Sequence, residues 1–174
     1  MEITELWDLY TKNREKTGES HVRGEEIPEN RYHIAVDVWI KNKNGEYLIS
    51  QRDESRPTFP LMWECTGGSV LKGETSLDGA LREVKEELGV DLLPSSGKLM
   101  SSKVRKTING TKFNDIKDVW LFNYDGDVLL KNATTNEVSD FKWLKPNDIK
   151  KLYNEKKLVW TLSYFFDEIV NSPL

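Results

Sequence analysis

The chain has 174 residues, a net charge of −4, 37% hydrophobic residues and a single cysteine. That length fits one domain with a respectable core, and the mildly acidic balance gives no reason to expect nucleic acid or an anionic membrane as a partner. No run approaches the roughly 18 apolar residues of a membrane span, residues 1–5 lack the layout of a secretory signal, and Cys65 on its own excludes an internal disulfide, so a cytoplasmic protein is expected.

In chain order, Glu5 to Tyr10 alternates apolar and polar side chains. With a turn over residues 13–18 and a return through Ser20 to Arg23, this predicts an N-terminal β-hairpin, an extension over about residues 1–30. Tyr32 to Ile40 is a β-branched run that predicts a strand. Asn42-Lys-Asn-Gly45 is a hairpin turn signal, and Glu46 to Gln51 is the returning strand. Arg52 to Pro60 reads as a loop. A helix follows: Leu77, Leu81, Val84 and Leu88 recur at spacings of four, three and four. Thr75 and Asp78 have the spacing of a capping box, and Gly89 is the C-terminal stop. Gly79 costs about 1 kcal/mol against Ala in mid-helix, which marks a close approach by a neighbour or ligand. Strands are predicted at Lys98–Ile108 and Phe113–Tyr124 around Asn109-Gly110, and at Val138–Leu144. Helices are predicted over 147–154 and 159–169. The second of these is amphipathic, and its face either closes over a pocket or packs a homodimer. The irregular alternation predicts a single α/β domain over 1–174, a mixed sheet between helices.

The predicted helix carries Glu83, Glu86 and Glu87 along one edge. Like charges three and four apart cost roughly 0.2–0.5 kcal/mol per pair, and the helix dipole disfavours anions in the last turns. A hard cation, Mg²⁺ or Mn²⁺, held by the carboxylates reverses that cost. Gly67 and Gly68 upstream permit a turn that brings a backbone carbonyl near them. Carboxylates that gather divalent ions on a rigid helix suit phosphorus chemistry.

Residues 68–90 resemble the Nudix box: Gly68, five residues, Glu74, seven residues, then Arg82-Glu-Val-Lys-Glu-Glu-Leu-Gly-Val90. Seven fixed residue types at ordinary usage make a chance match on the order of 10⁻⁹ per starting position. The likeness continues more loosely from Tyr32 to Trp143. It implies an α/β/α sandwich and hydrolysis of a diphosphate bond in a nucleoside diphosphate linked to another moiety. It implies Glu83, Glu86 and Glu87 as metal ligands, with the Gly68 carbonyl as a further one, and Arg82 and Glu74 as supports. The general base is either Glu83 or a later glutamate, for which Glu137 is the candidate; an ordinary exposed loop residue is the alternative for Glu137. Weaker substrate-side candidates are Arg52, Trp63 and Asp118. Trp120, Trp160 and Tyr164 are also able to stack on a planar ring, although aromatics at these spacings are usually core. His21 and His33 read as structural.

Two other readings remain. The amino-terminal half resembles isopentenyl-diphosphate isomerase, whose pattern places a catalytic cysteine where this chain has Gly67 and a metal histidine where it has Ser69. His33 matches another isomerase metal ligand, and of the two later acidic ligands, which map to Ile116 and Asp118, one survives. Cys65 lies two residues early. A non-catalytic sensor on the same fold is the third reading, which the intact glutamates disfavour.

Overall fold

The computed structural model describes residues 4–171. An antiparallel hairpin, β1 (Leu6–Tyr10) with β2 (Lys16–Val22), precedes a mixed seven-stranded sheet. At the centre of the sheet runs β3 (His33–Lys41), parallel to β8 (Thr111–Asn123) along one edge. Its other edge is shared. It pairs with β6 (Thr66–Ser69) over residues 35–38 and with β4 (Tyr47–Arg52) at its end. The sheet is completed by β5 (Trp63–Glu64) and β9 (Val138–Leu144) on β4, and by β7 (Gly97–Ile108) on β8.

Covered on both faces, β3 is buried from His33 to Ile40 and reads as one apolar run rather than an alternation. Ile34, Val36, Val38 and Ile40 face helix α1 (Ser76–Leu88), in a cluster with Val84, Leu88 and Phe122. Trp39 faces the other way, with Tyr47, Ile49, Ile149 and Phe165, against α2 (Pro146–Asn154) and the C-terminal segment. Helices therefore flank the sheet on both sides, as the resemblance implies.

Helix α1 follows its sequence signals. Thr75 accepts from the Asp78 N–H and the Asp78 carboxylate accepts from the Thr75 N–H, closing the capping box. Gly89 ends the helix at φ 67°, a left-handed position suited to glycine. A Cβ on Gly79 would lie 2.8 Å from the Val70 side chain, so the mid-helix glycine marks a close packing approach. The segment predicted as one amphipathic helix over 159–169 is instead a 3₁₀ turn at Trp160–Leu162 followed by a π-helical turn at Phe165–Ile169. Among the described residues no helix is long and apolar enough to cross a membrane.

The hairpin is tied to the body at several points. Tyr10 bridges Tyr32 in both directions, and Gly73 N–H donates to Asp8 at 2.8 Å. From the β1–β2 turn, Arg14 grips Asp118 of β8 with two bonds of 2.8 and 2.6 Å.

Candidate active site

Glu83, Glu86 and Glu87 sit in the last turns of α1, beside the β6 strand end. Their environments differ. Glu86 is the most exposed, whereas Glu87 is only 6% exposed and its Oε2 has no hydrogen-bond partner. Buried polar atoms are nearly always paired, so an orphaned carboxylate oxygen calls for a ligand. Burial pushes the Glu87 carboxyl well above its usual range, and Glu83, Glu64 and Glu137 push it further against a smaller opposing pull from Arg56. For Glu83 burial is again the main cause. With Arg82 pulling down and Glu86 and Glu137 pushing up, its pKa stands at about 7.

One arginine organises the box. Arg82 donates from Nε and Nη2 to the two oxygens of Glu74 at 2.7 and 3.1 Å, and from Nη1 to Glu83 and Glu86, both at 3.0 Å. Its Nη2 also reaches the Ser69 carbonyl at 2.9 Å, which fixes the end of β6 to the helix. Glu74 accepts in addition from the Leu71 N–H at 2.9 Å. Gly68 lies directly against this group: a Cβ there would sit 2.2 Å from Glu83 Oε1, so only glycine lets the backbone approach the carboxylate so closely.

The donor set of carboxylate oxygens beside a backbone turn is that of a hard divalent cation. The orphaned Glu87 oxygen and the side-chain-free cradle at Gly68 fit such an ion. As they stand, no three acidic, histidine or cysteine side chains among the described residues are gathered tightly enough to cage one. Arg82 draws Glu83 and Glu86 onto a single nitrogen through one oxygen of each, which leaves the second oxygen of each carboxylate for an ion.

Two residues of this electrostatic cluster carry no signal in the box. Glu64 of β5 is raised by burial, and Arg52 holds it at 2.6 Å. Arg56 pairs with Glu137 at 2.9 Å, and the Glu137 carbonyl accepts from the Asp53 N–H. A glutamate between Trp63 and Cys65, in an otherwise apolar stretch, was the available clue to Glu64.

The weaker candidates divide. Arg52 lines the cleft below the box, but its guanidinium is committed to Glu64, the Thr58 carbonyl and the Thr58 hydroxyl. Trp63 is a core residue, 6% exposed, with the Lys142 ammonium 4.6 Å from its ring centre, and is not available to a substrate. Asp118 faces the α1 side of β8 and is fully buried. Burial pushes it up, but Arg14, Ser102 and Ser76 together hold it below the usual carboxylate range. It anchors the hairpin and lies away from the glutamates, at the opposite end of α1. Trp120 donates to Ser76 at that same end.

The cleft, about 250 Å³, is walled by Gly67, Gly68 and Glu64 on the box side and by the odd-numbered residues of β3 and β8 on the other. Two acid–base pairs line that second wall: Asp37 with Lys117 at 2.7 Å, and Asp115 with Arg105 at 2.8 and 2.6 Å. Tyr164 donates to Asp37 at 2.7 Å and accepts from Trp39 at 3.0 Å. His33 also lines the cleft. Its ring stacks on Trp7 at 4.1 Å, and burial pushes its pKa down to about 4, so it is neutral near pH 7. Because side chains alternate along a strand, His33 and Asp118 face opposite sides of the sheet and do not form one metal site.

The NUDIX domain family model matches residues 31–167, most of the chain. The chain belongs to the Nudix family. An uncharacterized Nudix hydrolase of Listeria monocytogenes is 32% identical over 163 residues, covering 93% of this chain and 90% of that one. The isopentenyl-diphosphate Delta-isomerase of Escherichia coli is 26% identical over 121 residues, covering 68% of this chain and 65% of the enzyme. Among solved structures, DR0079 of Deinococcus radiodurans superposes with a TM-score of 0.69 at 23% identity, covering 89% of this chain and 92% of its own. The Nudix fold and the isomerase-like relationship expected from the sequence are thus both present.

Proposed function

We propose that this Nudix protein is a divalent-metal-dependent hydrolase that cleaves a diphosphate bond in a nucleoside diphosphate linked to another moiety. The observation that carries the reading is the buried, unpartnered Glu87 carboxylate amid Glu83, Glu64 and Glu137, an arrangement that is costly unless a cation joins it. Glu83, Glu86, Glu87 and the Gly68 carbonyl would hold Mg²⁺ or Mn²⁺, and such an ion, when bound, neutralises phosphate charge and acidifies a bound water. Arg82 and Glu74 position the ligands. Glu83 and Glu137 are the two candidates to take the proton of the attacking water. Lys117 and Arg105 stand on the far wall of the cleft, each paired there with a carboxylate, Asp37 and Asp115.

The isomerase-like alternative has one observation in its favour, since Cys65 and His33 both border the cleft. Against it, burial pushes the Cys65 thiol well above its ordinary value, and Asp37 and Glu64 push it further, which leaves no thiolate for chemistry. The test is a panel of diphosphate compounds incubated with the protein and Mg²⁺ or Mn²⁺. Metal-dependent release of a monophosphate, retained in Cys65→Ser, is expected. No hydrolysis of any member, with isopentenyl diphosphate isomerised and that activity lost in Cys65→Ser, overturns the proposal.

A further inference from the structure

Beside the polar cleft lies a second chamber of about 310 Å³, between β7, β8 and the C-terminal turns. Its apolar walls are Ile108, Val119 and the indole of Trp160, which meets Phe113 edge-on at 6.5 Å. Three hydroxyls border it, those of Ser101, Thr161 and Ser163, while other polar groups around it are occupied elsewhere. Tyr164 bonds Asp37 and Trp39, and Lys103 pairs with Glu168. Only the Ser101 hydroxyl borders it buried and without a partner among the described residues. A volume near 300 Å³ is at the small end of ligand pockets.

The chamber is continuous with the cleft. Arg105, Lys117 and Thr161 line both, so the Arg105–Asp115 and Lys117–Asp37 pairs stand at the junction, where a diphosphate reaching from the glutamates would pass. We propose that this chamber takes the group esterified to the diphosphate, and that this group is apolar, an aromatic ring or a short hydrocarbon chain, rather than a second hydrated sugar. A sugar would turn hydroxyls toward Ile108, Val119 and the Trp160 indole, which leave them unbonded, with three lining hydroxyls, Ser101, Thr161 and Ser163, to satisfy them. The inference rests on the hydrolase reading above and names its substrate class.

The experiment compares two compounds that share one nucleoside diphosphate, one esterified to a phenylalkyl group and the other to a hexose. Each is assayed with wild-type protein, Ile108→Asp and Trp160→Ala. Ile108 ends β7 and belongs to neither core cluster, so its replacement leaves the core intact. Wild type is expected to favour the phenylalkyl ester in kcat/KM by about tenfold or more. Ile108→Asp should reduce that preference about tenfold, through KM more than kcat, and Trp160→Ala should reduce it in the same direction. Preference for the hexose ester, or a ratio that neither variant changes, overturns this inference while leaving the hydrolase reading in place. Turnover of no diphosphate compound by wild type removes both.

Discussion

A carboxylate with no partner is tolerated in a protein interior only if it keeps its proton or acquires a cation, and Glu87 faces that choice with Glu83 buried beside it. Unfolded, Glu83 titrates at the usual 4.5; folded, at about 7. Between those values the folded chain holds a proton that the unfolded chain has released, so stability falls as pH rises through that window. In chelator, Tm is therefore expected to decline from pH 4.5 to 7, and Glu83→Gln to flatten the decline; a wild-type Tm that climbs over this range contradicts the assignment. Glu86→Gln separates charge from fold differently. Removing one like charge should leave the metal-free protein at least as heat-stable, within about 0.5 kcal/mol or better, while turnover drops by two orders of magnitude or more. Loss of the fold in chelator would mean that Glu86 is structural. The box glutamates, Glu74 and Arg82 were legible because their spacing is local and the residue types are unusual together. Glu64, Arg56 and the Asp37–Lys117 pair were not, since each acquires its role from a residue distant along the chain. Asp118 illustrates the same limit: its partner Arg14 lies 104 positions away, and that distance turns a suspected site carboxylate into an anchor.

At the scale of elements, the site is a junction of α1 with the β6 strand end, held by Arg82 reaching the Ser69 carbonyl and by a glycine that admits the Glu83 carboxylate. Helix α1 could be read almost residue by residue because capping box, apolar stripe and left-handed stop are all short-range signals. The strands β5 and β6 were missed because they are two and four residues long and contain Gly67 and Gly68, residues with poor strand propensity that pairing with β3 and β4 overrides. Periodicity over 159–169 indicated a helix, but packing of Phe165 and Ile169 under Trp39 and Tyr47 imposes 3₁₀ and π turns in place of a regular one. The hairpin was legible, whereas its attachment was not. Replacing Arg14 by Ala leaves the buried Asp118 without its bidentate donor, and a loss of about 1–3 kcal/mol in denaturant unfolding is expected. Asp118→Asn, which removes the charge together with the need for it, should lose less. Equal stability of Arg14→Ala and wild type would show that the hairpin is held by Trp7, Leu9 and the backbone bridge alone.

For the whole molecule, the sheet acts as a partition. The α1 face supplies packing and the rigid backing of the glutamates, and the opposite face supplies the cleft with its acid–base pairs and the apolar chamber beyond. The proposed hydrolase chemistry requires the glutamates to form a cation site. Calorimetric titration of Mg²⁺ into chelator-treated protein at pH 6.5 tests it most directly. Saturable binding accompanied by proton release is predicted, because Glu83 and Glu87 must give up protons to receive the ion, with binding much weakened in Glu87→Gln. Absence of any uptake at millimolar Mg²⁺, or uptake that Glu87→Gln leaves unchanged, would contradict it.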